Sequence, residues 1–301
     1  MKIETPAQAA LFCTVRIETD TGTGTGFLFQ QRVGHSQPLP FIVTNKHVVE
    51  GATAIRFFFT RREGEGGAAR PLVGERVDVS HDDFTDHWHG HPDPDIDVAI
   101  LPFFPFVSLL GEQRAQIFVQ MLGEENLVTP DVLDTLDVIE EVRFIGYPNG
   151  MYDARNLLPV ARRGTTATPL HFDYNGKPAF LIDASVFPGS SGSPVLLLNH
   201  GEFVSKGQWF HGSRLVLLGI ISQVFVRHEI GEVHRIAIPT AETSVAVIPQ
   251  MIDLGYVFKA STITETITDY VRCGRFERDL VTATDDPRFL ALLKEMGGMR
   301  R

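Results

Sequence analysis

The chain predicts an all-β fold with minor helical insertions, and three observations carry the prediction. Short runs of β-branched and aromatic residues recur at 9–19, 26–29, 41–43, 98–101 and 215–221. Runs of this kind, alternating or wholly apolar, suit strands with one or both faces buried. Between them stand glycine-rich turns, Thr21-Gly22-Thr23-Gly24-Thr25-Gly26 and Phe187-Pro188-Gly189-Ser190-Ser191-Gly192-Ser193, where glycine reaches backbone conformations that other residues enter only at a cost. The composition, 43% hydrophobic and 21% charged, is that of an ordinary globular protein, which excludes a disordered or fibrous role.

In order, residues 9–19 and 26–29 form two strands around the first glycine turn. That turn is not a phosphate loop, because glycines 22, 24 and 26 lack the Gly-x-Gly-x-x-Gly spacing and no helical pattern follows. Phe41-Ile42-Val43 is a strand leading into Thr44-Asn45-Lys46-His47-Val48-Val49. A lone histidine in such a place is, on its own, more often a satisfied core or surface group than a base. Residues 61–71, rich in arginine, glutamate and glycine, read as a solvated hairpin loop. His87, His89 and His91 have the composition of a metal site and the alternation that one strand displays on one face. The intervening glycine and following prolines favour an irregular structural loop instead, and no metal is expected. Asp97 heads the buried strand Val98-Ala99-Ile100-Leu101. Asp95 rivals it, since residues two apart on an extended chain point the same way.

The strand rhythm breaks over 103–141, where mixed helical spacing and a helix start at Pro130 and Asp131 predict a link carrying short helices. Strands resume at 141–148, at Phe180-Leu181-Ile182-Asp183 before the serine turn, at Val195-Leu196-Leu197-Leu198 after it, and at 215–221. Beyond residue 240 the sequence predicts a terminal helix over 241–254, interrupted by Pro249, and a second helix over 287–296 that Asp286 caps and Pro287 opens.

A net charge of −10 disfavours nucleic acid and anionic membrane surfaces as partners. The longest apolar stretch, 215–226, is too short to span a bilayer. Two cysteines, Cys13 and Cys273, provide no disulfide framework, and the N-terminus lacks a basic region followed by an apolar core. A cytoplasmic location without a signal peptide is expected.

The chemistry concentrates in the serine turn. A serine among glycines between two apolar strands is how a hydroxyl is presented for nucleophilic attack, although a Gly-x-Ser-Gly fragment alone describes a structural turn as well. Its companions change the reading, because serine, histidine and aspartate are the three parts of an acyl-transfer site. Thr-Asn-Lys-His-Val-Val, Asp-Val-Ala-Ile-Leu and Gly-Ser-Ser-Gly-Ser-Pro, in that order, resemble the trypsin-like serine peptidases of the chymotrypsin fold. The resemblance is nearest to the bacterial branch that includes the HtrA/Deg proteases, without a readable PDZ module.

That resemblance implies two packed six-stranded antiparallel β-barrels. It places a peptidase domain over 1–245, with barrel one over about 8–102, a helical link over 103–140 and barrel two over 141–245, closed by Ile236-Ala237-Ile238-Pro239. Residues 246–301 form a partly helical extension. It selects Asp97 over Asp95, and implies His47, Asp97 and Ser191 as the triad, with the backbone N–H groups of Gly189 and Ser191 as oxyanion hole. Ser185 falls at the base of the primary specificity pocket, while Ser222, Gln223 and Val224 fall on the substrate-pairing strand and pocket wall. The implied activity is a serine endopeptidase acting on peptides or proteins, without a cofactor, cleaving after small or medium aliphatic residues. Two other classes stand beside it: a catalytically silent binding module on the same fold, and a metal-dependent hydrolase using the His87–His91 region.

Overall fold

The computed structural model describes residues 1–33, 38–64, 68–82, 84, 85, 87–103, 117–233, 244–276, 278 and 279, with the side chains of 226–251 left aside. A short helix α1 (Pro6–Leu11) opens the chain, capped by the Thr5 hydroxyl and Gln8 side chain in a capping box. There follow β1 (Thr14–Thr19), β2 (Thr23–Arg32), β3 (Pro38–Thr44), the single-turn helix α2 (Lys46–Val49), β4 (Ile55–Glu63), β5 (Arg70–His81), β6 (His89–Gly90) and β7 (Ala99–Pro102). These strands form one antiparallel sheet in the order β5-β4-β1-β2-β3-β7-β6.

Part of the expected link belongs to this sheet. Strands β8 (Ile117–Phe118) and β9 (Leu122–Gly123) pair with β4 and β2, making it nine-stranded. Helix α3 (Pro130–Thr135) starts where the sequence places it, with Thr129 accepting the Val132 N–H and proline in the first turn. Residues 104–116 of the link lie outside the described residues.

The second half is a closed antiparallel barrel. Its strands are β10 (Glu141–Gly146), β11 (Val160–Thr166), β12 (Ala179–Asp183), β13 (Pro194–Asn199), β16 (Arg214–Val233) and β17 (Ser244–Lys259), in the order β10-β11-β12-β17-β16-β13. A hairpin of β14 (Glu202–Ser205) and β15 (Gln208–His211) stands apart from the barrel. The all-β class and the double-barrel plan therefore hold, with one closed barrel and a larger first sheet.

Two expectations for the C-terminal part need correction. Residues 244–254 are strand and not helix, since Ser244–Lys259 pairs with both β12 and β16 to close the barrel. The second barrel thus runs past the expected boundary at 245. The β-branched Val245 and Val247 and the helix-breaking Pro249 fit a helix interior poorly, and Val226–Val233 of β16 supplies the pairing partners of this part of the strand. The sequence assigned closure to Ile236–Pro239, which, like the helix expected over 287–296, lies outside the described residues.

The terminal helix is instead α4 (Ser261–Arg272). Ile263, Ile267 and Tyr270 recur at helical spacing on its buried face and join a core shared with Phe27, Phe41, Ile145, Leu196 and Phe258 from both sheets. The core is continuous across the junction between the sheets, where the site described next is built. No helix among the described residues is long and apolar enough to cross a membrane.

Candidate active site

His47 is carried on the single turn α2, which Val48 and Val49 anchor by burial. Val48 packs on β2 so closely that a Cβ on Gly24 would lie 2.6 Å from its side chain, which is what the glycine run of β2 makes room for. Asp97 leaves the turn that follows His91, flanked by the buried Ile96 and Val98. Its backbone carbonyl accepts the Asn45 side-chain N–H at 2.6 Å. Its carboxylate takes the His47 backbone N–H on Oδ1 at 3.1 Å and meets the His47 ring Nδ1 with Oδ2 at 2.6 Å.

The rival aspartate is separated by the turn itself. Asp95 is exposed and pairs with Lys177 at 2.9 Å, because Ile96 N–H closes a turn onto the Asp93 carbonyl and the segment is not extended. It borders a depression of about 310 Å³, lined also by Tyr174, Tyr256 and Phe225, which adjoins the main cleft at Gln223.

A third donor reaches Asp97 from the other sheet. The Ser222 hydroxyl donates to Oδ2 at 2.6 Å. The β16–β17 register shifts between Ile221 and Gln223, so Ser222 sits on a bulge. A bulge releases a residue from the ladder and re-aims its side chain. Burial pushes the Asp97 carboxyl up. The hydrogen bond and charge of His47, the Ser222 hydroxyl and the His47 N–H outweigh this and hold it below the usual carboxylate range.

The turn bearing Ser191 is bonded from several sides. Ser190 N–H returns to the Phe187 carbonyl, Ser193 N–H to Ser190, and Gly192 N–H to the Ile221 carbonyl at 2.8 Å. Across the junction, Thr25 N–H donates to the Ser191 carbonyl at 2.9 Å. The Thr25 hydroxyl donates to the Gly189 carbonyl at 2.9 Å and accepts the Tyr147 N–H at 3.0 Å.

Gly189 and Gly192 are required where they stand. Both have left-handed backbone, φ +83° and +87°. A Cβ on Gly192 would lie 1.8 Å from the Thr25 carbonyl oxygen, and one on Gly189 2.6 Å from that of Tyr147. Gly146 leaves room for the buried Ser193 hydroxyl, from which a Cβ at that glycine would lie 2.1 Å.

The orientation of one peptide decides what the turn can do. The Pro188 carbonyl accepts the Asn149 N–H at 2.5 Å. In a trans peptide the carbonyl and the following N–H point oppositely, so the Gly189 N–H is aimed away from Asn149. Among the described residues neither it nor the Ser191 N–H donates a hydrogen bond.

His47, Asp97, Ser191, Ser222, Gln223 and Val224 line one open cleft of about 500 Å³, together with Val186, Phe187, Pro188 and Ile221. The Ser191 hydroxyl contacts the Ser222 carbonyl at 3.3 Å. Ser185 is half-buried and lies outside the lining, with its neighbour Val186 on the wall instead.

The three histidines expected as an alternative metal set do not converge. His87 lies against the His81 ring at 4.5 Å, His89 meets Asp269 at 3.0 Å, and His91 meets Glu265 at 3.3 Å. Both carboxylates belong to α4, so His89 and His91 join the first sheet to the terminal helix.

Sequence reading missed Thr25 and Asn149 as positioning residues, and gave Ser222 only a substrate-side part. Each acts through a partner more than 30 residues away in the chain, and no local pattern encodes such a pair.

Two sheets, one of them a closed six-stranded barrel, meet across a shared core, and histidine, aspartate and serine line one cleft. Residues 24–205 match the family described as trypsin-like peptidase domain, and the chain belongs to that family. Among solved structures, it is similar to the inactive form of a serine-to-alanine variant of Rv3671c from M. tuberculosis H37Rv, at 18% identity and TM-score 0.41, covering 89% of this chain and 91% of that one. The HtrA-type protease AlgW with tripeptide gives 16% identity and TM-score 0.44, covering 89% of this chain and 63% of that one. The scabies mite inactivated protease paralogue S-I1 gives 14% identity and TM-score 0.41, with coverages of 87% and 95%. No curated protein matches.

Proposed function

We propose that this protein is a serine endopeptidase. Ser191 Oγ attacks the peptide carbonyl, and His47 takes its proton and returns it to the leaving amine. Asp97 holds the imidazole in the required tautomer and stabilises its protonated form. The oxyanion of the tetrahedral intermediate is received by the Gly189 and Ser191 N–H groups. The observation that carries the reading is the Pro188–Gly189 peptide, held by Asn149 with its N–H aimed away from that bond, together with the His47–Asp97 contact at 2.6 Å.

Cleavage after small or medium aliphatic residues is part of the proposal. Val186, Ile221 and Val224 present apolar, branched walls, and no carboxylate faces a basic side chain in the described lining apart from Asp97, which is engaged by His47 and Ser222. The substrate is a peptide or protein, and the proposed setting is the cytoplasm, in line with the cysteine usage.

A silent binding module is the second reading, favoured by the Ser191 hydroxyl lying on the Ser222 carbonyl. In unliganded enzymes the nucleophile–base bond is often long and tightens only with substrate, so a fluorophosphonate probe separates the two. Stoichiometric labelling mapped to Ser191 and abolished in Ser191→Ala supports the peptidase. A folded protein that takes no label is the binding module.

A further inference from the structure

Asp269 and Cys273 stand four residues apart at the end of α4, so their side chains share one face of the helix. His89, on the two-residue strand β6, reaches that face. A nitrogen of His89, a carboxylate oxygen of Asp269 and the sulfur of Cys273 all lie within 4.8 Å of one another. His89 Nε2 and Asp269 Oδ2 are 3.0 Å apart. Ligand atoms around a tetrahedral ion with bonds of about 2.0–2.1 Å are separated by roughly 3.3 Å, so the pair needs to open by only a few tenths of an ångström. Cys273 is exposed, and its thiol contacts only the Tyr270 carbonyl at 3.3 Å among the hydrogen bonds described.

We propose that His89, Asp269 and Cys273 bind a divalent zinc-type ion that staples β6 to the terminal helix, at a site separate from the cleft. A thiolate, an imidazole and a carboxylate form a donor set suited to Zn²⁺ and poorly suited to Mg²⁺ or Ca²⁺. On binding, the thiol proton leaves to solvent as the metal–sulfur bond forms, and the carboxylate and thiolate together neutralise the ion's two charges.

The surroundings accommodate this. Arg272 bonds the other carboxylate oxygen, Asp269 Oδ1, at 2.5 Å, leaving Oδ2 for the ion, and Arg275 is directed to the Trp88 carbonyl at 3.0 Å. Partners of this kind orient a ligand, and the arginines then face a neutral centre. His89 pairs with Ile100 in β7, the strand that Asp97 precedes. The ion would fix the helix against the part of the first sheet that carries the cleft's carboxylate.

The test uses the full chain, stripped of metal and titrated with Zn²⁺ or Co²⁺ alone. The expected result is one ion per chain, a Co²⁺ spectrum with thiolate charge-transfer absorption, and a raised Tm. Cys273→Ser and Asp269→Asn should weaken binding by about tenfold or more, whereas Cys13→Ser should not. Cys13 is the buried cysteine, and burial raises its thiol pKa to about 12. A second readout needs no variant: zinc should slow modification of the Cys273 thiol by a thiol reagent. Absence of binding, binding unchanged in both ligand variants, or undiminished Cys273 reactivity at saturating zinc overturns the proposal. Fluorophosphonate labelling of Ser191 stands or falls separately from every one of these outcomes.

Discussion

Thr25→Val is the most informative single change, because valine keeps the shape of threonine and removes one hydroxyl. That hydroxyl is fully buried, donates to the Gly189 carbonyl at 2.9 Å and accepts the Tyr147 N–H at 3.0 Å. Removing it leaves two partners unsatisfied, each costing about 1–3 kcal/mol, so the folded state should lose about 2–6 kcal/mol if neither finds water. The larger consequence falls on the turn. Gly189 carries one proposed oxyanion donor, and loss of one such donor costs about 10²–10³ in kcat. Partial release of the clip should lower kcat by about tenfold or more while changing KM little, since ground-state binding does not use the donor. Peptide hydrolysis and urea unfolding of wild type and Thr25→Val would be measured together. Loss of stability with an unchanged kcat in the folded fraction would refute the argument and leave Thr25 as a structural clip alone.

Further outcomes follow from the same geometry. Val224→Gly should widen acceptance before the scissile bond toward phenylalanine in peptide-library profiling; an unchanged profile removes Val224 from the pocket wall. The depressed Asp97 carboxyl contributes stability that is fully present above an unfolded aspartate's value of about 3.9 and is lost as pH falls through its lower folded value. The stability gap between wild type and Asp97→Asn should therefore shrink as pH falls below about 4, and a gap that widens over that range contradicts the shift. Ile267→Ala, in the fully buried face of α4, should cost about 2–5 kcal/mol, and a loss under 1 kcal/mol in urea unfolding would show that the helix is not integral to the core. Chelation should leave hydrolysis unchanged wherever the chain stays folded, since the proposed chemistry routes no step through an ion. Activity lost on chelation and restored by zinc would move the reaction to a metal.

The sequence by itself determined the β class, the glycine turns and the residue types that meet in the cleft. Local pattern sufficed there, because alternation, β-branching and turn chemistry act over a few residues. His47, Asp97 and Gly189 are singled out by the resemblance of their flanking motifs to the trypsin-like peptidases, since local pattern leaves Asp95 open beside Asp97. Only the tertiary structure decided the rest, for reasons that are long-range in each case. Ser244–Lys259 is a strand because its first half pairs with Val226–Val233 of β16 and its last residues, Gly255–Phe258, pair with both β16 and β12. Asp97 is separated from Asp95 by a turn, and Val186 lines the cleft where Ser185 does not. Thr25, Asn149 and the Ser222 hydroxyl acquire their parts from groups brought beside them when the two sheets pack, and His89 meets Asp269 only because α4 folds back across the first sheet.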